Sequence, residues 1–144
     1  MREQTFNVLQ ATTAHISDIS AVISQLDIGN AKPSDLTEIN LFVQDGLFYV
    51  ALAEQIVVGA MALQTIGNSC EIYALASTKK GAGNVLVNYA IKKCKQEGIQ
   101  KIWCWSPVQF RAKRFYEQLG FDEQFLAKMQ WHGLDCHYFG KVIS

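Results

Sequence analysis

The stretch from Ala74 to Asn84, which reads ALASTKKGAGN, decides how the rest of the chain is interpreted. An apolar run stops there at two lysines and two closely spaced glycines, and the helical pattern VLVNYAIKKCKQ (85–96) follows directly. A strand that turns into a helix in this way leaves unpaired backbone N–H groups at the helix start, where the helix dipole favours an anion. The stretch therefore predicts either a turn that binds a phosphate-bearing ligand or a tight turn whose lysines are merely solvated.

Two common nucleotide-binding motifs are excluded by the residues of this turn. The dinucleotide fingerprint G-x-G-x-x-G needs a third glycine at the position of Leu86, and the P-loop string G-x-x-x-x-G-K-[ST] does not occur. What remains is the feature that these motifs share. Gly81 and Gly83 would let backbone donors approach a diphosphate closely, and Lys79 and Lys80 would add positive charge at the rim.

The composition limits the partners and the compartment that we expect. The 144 residues are 49% apolar and carry 13 basic and 13 acidic side chains, which predicts one domain over 1–144 and disfavours a nucleic-acid partner. Four scattered cysteines without metal-ligand spacing predict buried reduced thiols and no metal site. No segment has the apolar length of a signal peptide or membrane span, so we expect a cytoplasmic protein without a membrane partner.

The hydrophobic pattern predicts an alternation of strands and helices. In order, it gives a strand at 5–11, a helix from Thr12 or Thr13 through Leu26, a helix from Ser34 or Asp35 to Gln44, two strands joined by a turn at Glu54 and Gln55, a strand at 70–77, a helix at 83–97, a strand at 101–106, a helix at 109–119 and a closing antiparallel pair at 121–143. The order β-α-α-β-β-β-α-β-α-β-β implies an α/β (α+β) fold. We expect a mixed, mostly antiparallel sheet of six to seven strands with helices on both faces.

A second motif, AKRFYEQLGF (112–121), follows the glycine turn by about thirty residues, with one strand between them. With it the chain resembles the GNAT superfamily of acyl-CoA-dependent N-acyltransferases. The pyrophosphate loop of that family reads [RQ]-x-x-G-x-[GA], and its later helix reads N-x-x-A-x-x-F-Y-x-x-x-G-F. Gly81 and Gly83 fill the loop pattern, but Thr78 stands where the loop of the family has Arg or Gln. Gln109 stands where the helix of the family has Asn. The helix pattern is filled by Ala112, Phe115, Tyr116, Gly120 and Phe121.

The resemblance implies an N-acetyltransferase that moves an acetyl group from acetyl-CoA to an amine of a small molecule or peptide, by direct attack in a ternary complex. It implies no metal, and it assigns coenzyme binding to Leu75, Ala76, Ser77, Lys79, Lys80, Gly81, Ala82, Gly83, Asn84 and Gln109. The alternative function is a non-catalytic GNAT-like module that binds acyl-CoA or a protein partner. The acceptor and the oligomeric state, including a homodimer, stay open.

Two residues are candidates for the proton transfers. Tyr116 matches a commonly catalytic tyrosine of the family and would donate a proton to the departing thiolate, or else it is a core aromatic with a satisfied hydroxyl. Glu71 is the acidic residue of an apolar strand, where partial desolvation would raise its pKa toward that of a useful base. Alternatively, Glu71 faces water at a strand end. His132 and His137 are the other candidate bases.

Trp103 and Trp105 alternate with Cys104, so both rings are expected on one face of a strand. They either pack under a helix or form an aromatic wall beside the acceptor or pantetheine channel. The resemblance implies that residues 26–36 and 128–137 build the acceptor pocket, although these stretches contain no recognisable pattern.

Overall fold

The computed structural model describes residues 5–143, and its order of helices and strands confirms the predicted one. The elements are β1 (Asn7–Gln10), α1 (Ile16–Ile23), α2 (Leu36–Gln44), β2 (Phe48–Ala53), β3 (Ile56–Ile66), β4 (Ser69–Ser77), α3 (Ala82–Gln96), β5 (Lys101–Pro107), α4 (Lys113–Gln118), β6 (Asp122–Trp131) and β7 (Leu134–Val142). Short 3-10 turns flank α1 on both sides and follow β5.

The seven strands form one sheet in the order β1-β2-β3-β4-β5-β7-β6. Strands β4 and β5 are parallel, and the pairs β1–β2, β2–β3, β5–β7 and β6–β7 are antiparallel. The predicted class, a mixed and mostly antiparallel sheet with helices, is therefore confirmed. The chain groups into two compact units, which are described separately below; the interpretation of 1–144 as a single domain stays a prediction.

The first unit contains residues up to Leu63 together with Ala74–Tyr89. Helices α1 and α2 bury an apolar stripe against one face of strands β2, β3 and β4, in a core that includes Val50 and Ala60. The first half of α3 lies against the opposite face, because a Cβ added to Gly59 would stand 2.9 Å from the Leu86 side chain. Consecutive strand residues point to opposite faces, so within this unit helices cover both faces, as predicted.

The second unit contains Gln64–Tyr73 together with the residues from Ala90 on. Its parallel β4–β5 ladder joins Ser69 to Lys101 and ends with the pair of Glu71 and Trp103. Strand β7 lies between β5 and β6, and the buried Tyr116 attaches α4 to β7 by stacking on Phe139.

The helix predicted at 109–119 is wrong at its start. Residues Val108–Phe110 form a 3-10 turn, Arg111 is left-handed (φ 53°), and α4 begins only at Lys113. The left-handed Arg111 interrupts the helical geometry, so the regular helix is confined to Lys113–Gln118. Gln109, which we expected on the helix, is consequently an exposed residue of the preceding turn.

Candidate active site

The glycine turn is tight. Strand β4 ends at Ser77 and α3 begins at Ala82, so residues 78–81 make the whole connection. Gly81 has a φ of 93°, and a Cβ added to it would lie 3.4 Å from the Phe6 ring. A side chain at position 81 would be strained in this left-handed conformation, so the turn requires glycine there.

The backbone amides around the turn differ in their availability. The Thr78 N–H donates to the Val58 carbonyl (2.8 Å), and the Ala82 N–H donates to the Lys79 carbonyl (3.2 Å). The Gly83 and Asn84 N–H groups lie in the first turn of α3, where a helix supplies no carbonyl acceptor. The amides of Thr78 and Ala82 are thus engaged by carbonyl oxygens, whereas those of Gly83 and Asn84 lie where the start of a helix can donate to an anion.

The end of strand β4 is held by a side chain that the sequence did not single out. Gln25 donates from Nε2 to the Ser77 carbonyl (3.0 Å). Leu75 and Ser77 are half-buried, whereas Ala76 is buried in the core of the first unit. Gln25 is one polar residue among others near the end of α1, so no pattern in the sequence distinguishes it. Lys79 and Lys80 are exposed, as expected of charges at a rim.

Glu71 is half-buried at the last pair of the parallel ladder, directly opposite Trp103. Burial raises the pKa of its carboxyl above the ordinary value, because the charged form loses hydration. The predicted direction of the pKa change is confirmed, and the role of Glu71 as a base stays a prediction.

Tyr116 is buried among aromatic rings. It stacks on Phe139 (5.1 Å between centroids) and meets Phe115 and Phe121 edge-on (5.0 and 5.3 Å). Its hydroxyl shares a hydrogen bond with the Cys104 thiol, and burial raises the pKa of Tyr116 well above its usual value. The side chain therefore has the buried position and the satisfied hydroxyl of the core alternative, and its role as an acid stays a prediction.

The candidate histidines have other partners or positions. His137 Nδ1 lies 2.6 Å from Glu123 Oε1, and Glu123 also pairs with Lys113 (3.0 Å). The two hydrogen bonds, that of Lys113 first, hold the pKa of Glu123 below its usual range. His132 is exposed in the turn between β6 and β7.

Trp103 and Trp105 project from one face of β5, as predicted, with their rings edge-on at 6.2 Å. Tyr138 and Phe125 extend this surface onto β7 and β6. Phe125 is 51% exposed, so water reaches this face, which favours the wall over packing under a helix. We call the four side chains of Trp103, Trp105, Tyr138 and Phe125 the aromatic wall.

Within residues 5–143, no group of histidine, cysteine, aspartate and glutamate side chains is arranged to hold a metal ion. All four cysteines are buried and free, as predicted. In the same range, every helix is too short or too polar to cross a membrane.

A comparison with sequence models of known families identifies one family. The sequence model described as the acetyltransferase (GNAT) family matches residues 16–121. Among solved structures, Ard1 of Thermoplasma volcanium is 14% identical with a TM-score of 0.83, covering 96% of this chain and 98% of its own. A ribosomal-protein-alanine N-acetyltransferase of Brucella melitensis is 21% identical with a TM-score of 0.78, covering 94% and 99%.

A third structure, the PaiA N-acetyltransferase of Thermoplasma acidophilum in complex with coenzyme A, is 17% identical with a TM-score of 0.73, covering 96% and 99%. No curated protein matches the chain. At these identities the structures show a shared fold.

Proposed function

The chain belongs to the GNAT acetyltransferase family, and we propose that it transfers an acetyl group from acetyl-CoA to the nitrogen of an amine by direct attack in a ternary complex. The acceptor is an amine of a small molecule or peptide. Two neighbours support this proposal, one named for the alanine of a ribosomal protein and one solved with coenzyme A.

The observation that carries the proposal is the start of α3. Gly81 lets the chain enter the helix without a side chain, and the N–H groups of Gly83 and Asn84, in the first turn of α3, are the proposed donors to the diphosphate. Thr78 stands where the family has Arg or Gln. The exposed ammonium groups of Lys79 and Lys80 are proposed to supply the positive charge near the diphosphate instead. Acetyl-CoA supplies the activated acetyl group.

Glu71 is proposed as the base. An alkylamine with a pKa near 10 is protonated at neutral pH and attacks only after it loses that proton. A carboxylate whose pKa is raised by burial takes up a proton more readily than an exposed one. Glu71 takes the proton that the ammonium loses before the attack. As the C–N bond forms and the C–S bond breaks, the second proton leaves the attacking nitrogen to solvent, the sulfur gains the proton of Tyr116, and solvent returns a proton to Tyr116 after turnover.

Tyr116 is proposed as the acid that protonates the departing sulfur. Its hydroxyl is protonated throughout the physiological range, which an acid requires. Burial raises the pKa of Tyr116 and so weakens it as an acid, and the proton transfer therefore requires direct contact with the negative charge that develops on the sulfur. The same burial supports a second function, that of a module which binds acyl-CoA without turnover. The Tyr116 ring contacts Phe115, Phe121 and Phe139, as the ring of a purely structural core residue does.

Two measurements separate these functions. Calorimetry with acetyl-CoA tests coenzyme binding, and release of free thiol in the presence of a panel of amines tests transfer. Binding with release supports the enzyme. Binding without release on any amine supports the module, and the absence of binding would overturn both.

A further inference from the structure

The backbone carbonyl of Ser77 lies at the end of strand β4 and points away from strand β3. It belongs to the same trans peptide group as the Thr78 N–H, so the two groups point in opposite directions. The Thr78 N–H donates to the Val58 carbonyl on β3 (2.8 Å). The parallel ladder on the other side of β4 ends at Glu71. A side chain, that of Gln25, donates to the Ser77 carbonyl instead.

Gln25 lies in the short turn that follows α1, and its Nε2 is 3.0 Å from the Ser77 carbonyl oxygen. A carboxamide nitrogen carries two N–H groups, and the bond to Ser77 uses one of them. Because Gln25 is exposed, the second N–H can meet a ligand. The bond also offsets the partial negative charge of the carbonyl oxygen, which would otherwise repel an anion beside it.

The proposed anion site at the start of α3 is a short distance along the chain from Ser77. The Ala82 N–H donates to the Lys79 carbonyl (3.2 Å), so the chain folds back between these two residues. The two residues from Ser77 to Lys79 span at most about 7 Å. A diphosphate bound at the first turn of α3 would therefore lie close to the carboxamide of Gln25.

The side chain of Thr78, although nearer in sequence, is directed elsewhere. Its Oγ1 donates to the Val58 carbonyl (3.4 Å), which turns it toward β3. We propose that Gln25 is a coenzyme-binding residue, with one amide N–H on the Ser77 carbonyl and the other on an oxygen of the diphosphate. This inference rests on the proposed function. Because the bond to Ser77 holds the carboxamide, the second donor is oriented before the coenzyme binds.

The decisive experiment is a calorimetric titration of coenzyme A into the wild type, Gln25→Met and Gln25→Arg. Gln25→Met keeps the approximate length of the side chain and removes both donors, so we expect the affinity to fall about tenfold, as for a lost hydrogen bond to a charged group. Gln25→Arg offers donors to both acceptors and should bind at least as tightly as the wild type. Its binding should also weaken more steeply with added salt, because a full charge then faces the phosphates.

Gln44→Met is the matched control. Gln44 is exposed at the end of α2, where its side chain donates to Asn40 Oδ1 (3.3 Å), so the substitution removes the same chemical group away from the coenzyme. It should leave the affinity for coenzyme A within about twofold of the wild type. The melting temperatures of Gln25→Met and Gln44→Met should both stay close to that of the wild type, because both side chains are exposed.

A second ligand tests which phosphate Gln25 contacts. Dephospho-coenzyme A keeps the diphosphate and lacks the 3′-phosphate, so Gln25→Met should lower its affinity by the same factor as that of coenzyme A. A loss confined to coenzyme A would assign the contact to the 3′-phosphate and overturn the inference.

The remaining outcomes separate the inference from the proposed function. If the wild type and Gln25→Met bind coenzyme A equally, the inference fails while the proposed function stands. A loss in Gln25→Met that Gln25→Arg does not restore would also overturn the inference, because Gln25 would then only hold the end of β4. If the wild type does not bind coenzyme A, the proposed function fails and the inference fails with it.

Discussion

The hydroxyl of Tyr116 and the thiol of Cys104 share a hydrogen bond that is closed to water, since the two side chains are only 6% and 1% exposed. Burial raises the pKa of Cys104 to about 12 and that of Tyr116 well above its usual value. Both groups are therefore neutral at physiological pH. The Tyr116 hydroxyl therefore carries the proton that the proposed acid needs, and the Cys104 thiol is a poor nucleophile.

The first prediction concerns the hydroxyl of Tyr116. Tyr116→Phe removes the proton and keeps the ring contacts with Phe115, Phe121 and Phe139. As an acid, Tyr116 should contribute a factor of about 10² to kcat while coenzyme affinity stays nearly constant. Steady-state kinetics and calorimetry measure the two quantities.

Tyr89→Phe is the matched control for this change. Tyr89 lies on α3, where its ring contacts Tyr49 (5.4 Å), and it has no role in the proposed reaction. It should leave kcat unchanged. An unaltered kcat in Tyr116→Phe as well would remove the tyrosine from the chemistry and leave it as a packing residue.

The second prediction concerns the four thiols. All four cysteines are at most 3% exposed. Burial raises the pKa of Cys104 and of Cys136, whereas a hydrogen bond with Cys94 lowers the pKa of Cys70, so that burial alone protects the Cys70 thiol. Because the thiolate is the reactive form, the native protein should react negligibly with an aromatic disulfide reagent, and four thiols should react in guanidinium. Rapid native reaction would contradict this burial. If the protein thiols react slowly, the same reagent can measure the free thiol of released coenzyme A without a signal from the protein's own cysteines.

The third prediction concerns the stability effect of Glu71. Its folded-state pKa is raised, so the unfolded chain ionises first as pH increases. The contribution of the protonated carboxyl is complete below the unfolded pKa of about 4.3 and is lost as pH rises through the folded pKa. Glu71→Gln removes the ionisation, so its melting temperature should exceed that of the wild type at pH 8, and the difference should vanish near pH 4.

The same variant tests Glu71 as the base. Glu71→Gln should lower kcat/KM by about 10²-fold and flatten the limb of the pH–rate profile that rises with pH. If Glu71→Gln is more stable but less active than the wild type, the ionised carboxylate of Glu71 destabilises the fold and is needed for catalysis. If the rising limb persists, the proton leaves through another group.

Much of the fold is readable from the sequence because the strands and long helices have strong local patterns. Asp35 caps α2 by accepting the N–H groups of Thr37 and Glu38, as its position before the apolar pattern indicated. The failure at 109–119 has a local cause. Arg111 adopts a left-handed conformation that no glycine or asparagine marks, so the apolar spacing continued through a break in the helix.

The candidate site is less readable, since its contacts join distant segments. The glycine turn and the raised pKa of Glu71 follow from local sequence and strand burial. The Gln25 contact with Ser77 and the Cys104 contact with Tyr116 depend on how elements pack, and nothing in the sequence pairs them. Phe125 joins the wall only because β7 is inserted between β5 and β6.

The fourth prediction concerns Glu123, whose pH dependence should be opposite to that of Glu71. Its folded-state pKa is lowered by Lys113 and His137, so its contribution to stability is present above about pH 4.3 and is lost as pH falls through the folded pKa. Glu123→Gln should melt below the wild type at pH 7, and the difference should close under acidic conditions. Glu117→Gln, on the exposed side of α4, should show much less of this effect.

The fifth prediction tests the anion site at the start of α3. Asn84→Asp is nearly isosteric and adds a negative charge in the first turn, where the helix dipole favours it and a diphosphate would be repelled. We expect acetyl-CoA affinity to fall about tenfold or more while the melting temperature stays equal or rises. Calorimetry and thermal unfolding measure the two effects.

Asn88→Asp supplies the control. Asn88 is exposed one turn further along α3, and its substitution changes the net charge by the same amount. It should weaken the coenzyme much less, since the first-turn amides are the proposed donors. Added salt should reduce the effect of Asn84→Asp, because screening weakens the repulsion between the new carboxylate and the diphosphate. Equal affinity in Asn84→Asp and the wild type would mean that the amides of Gly83 and Asn84 do not bind the coenzyme.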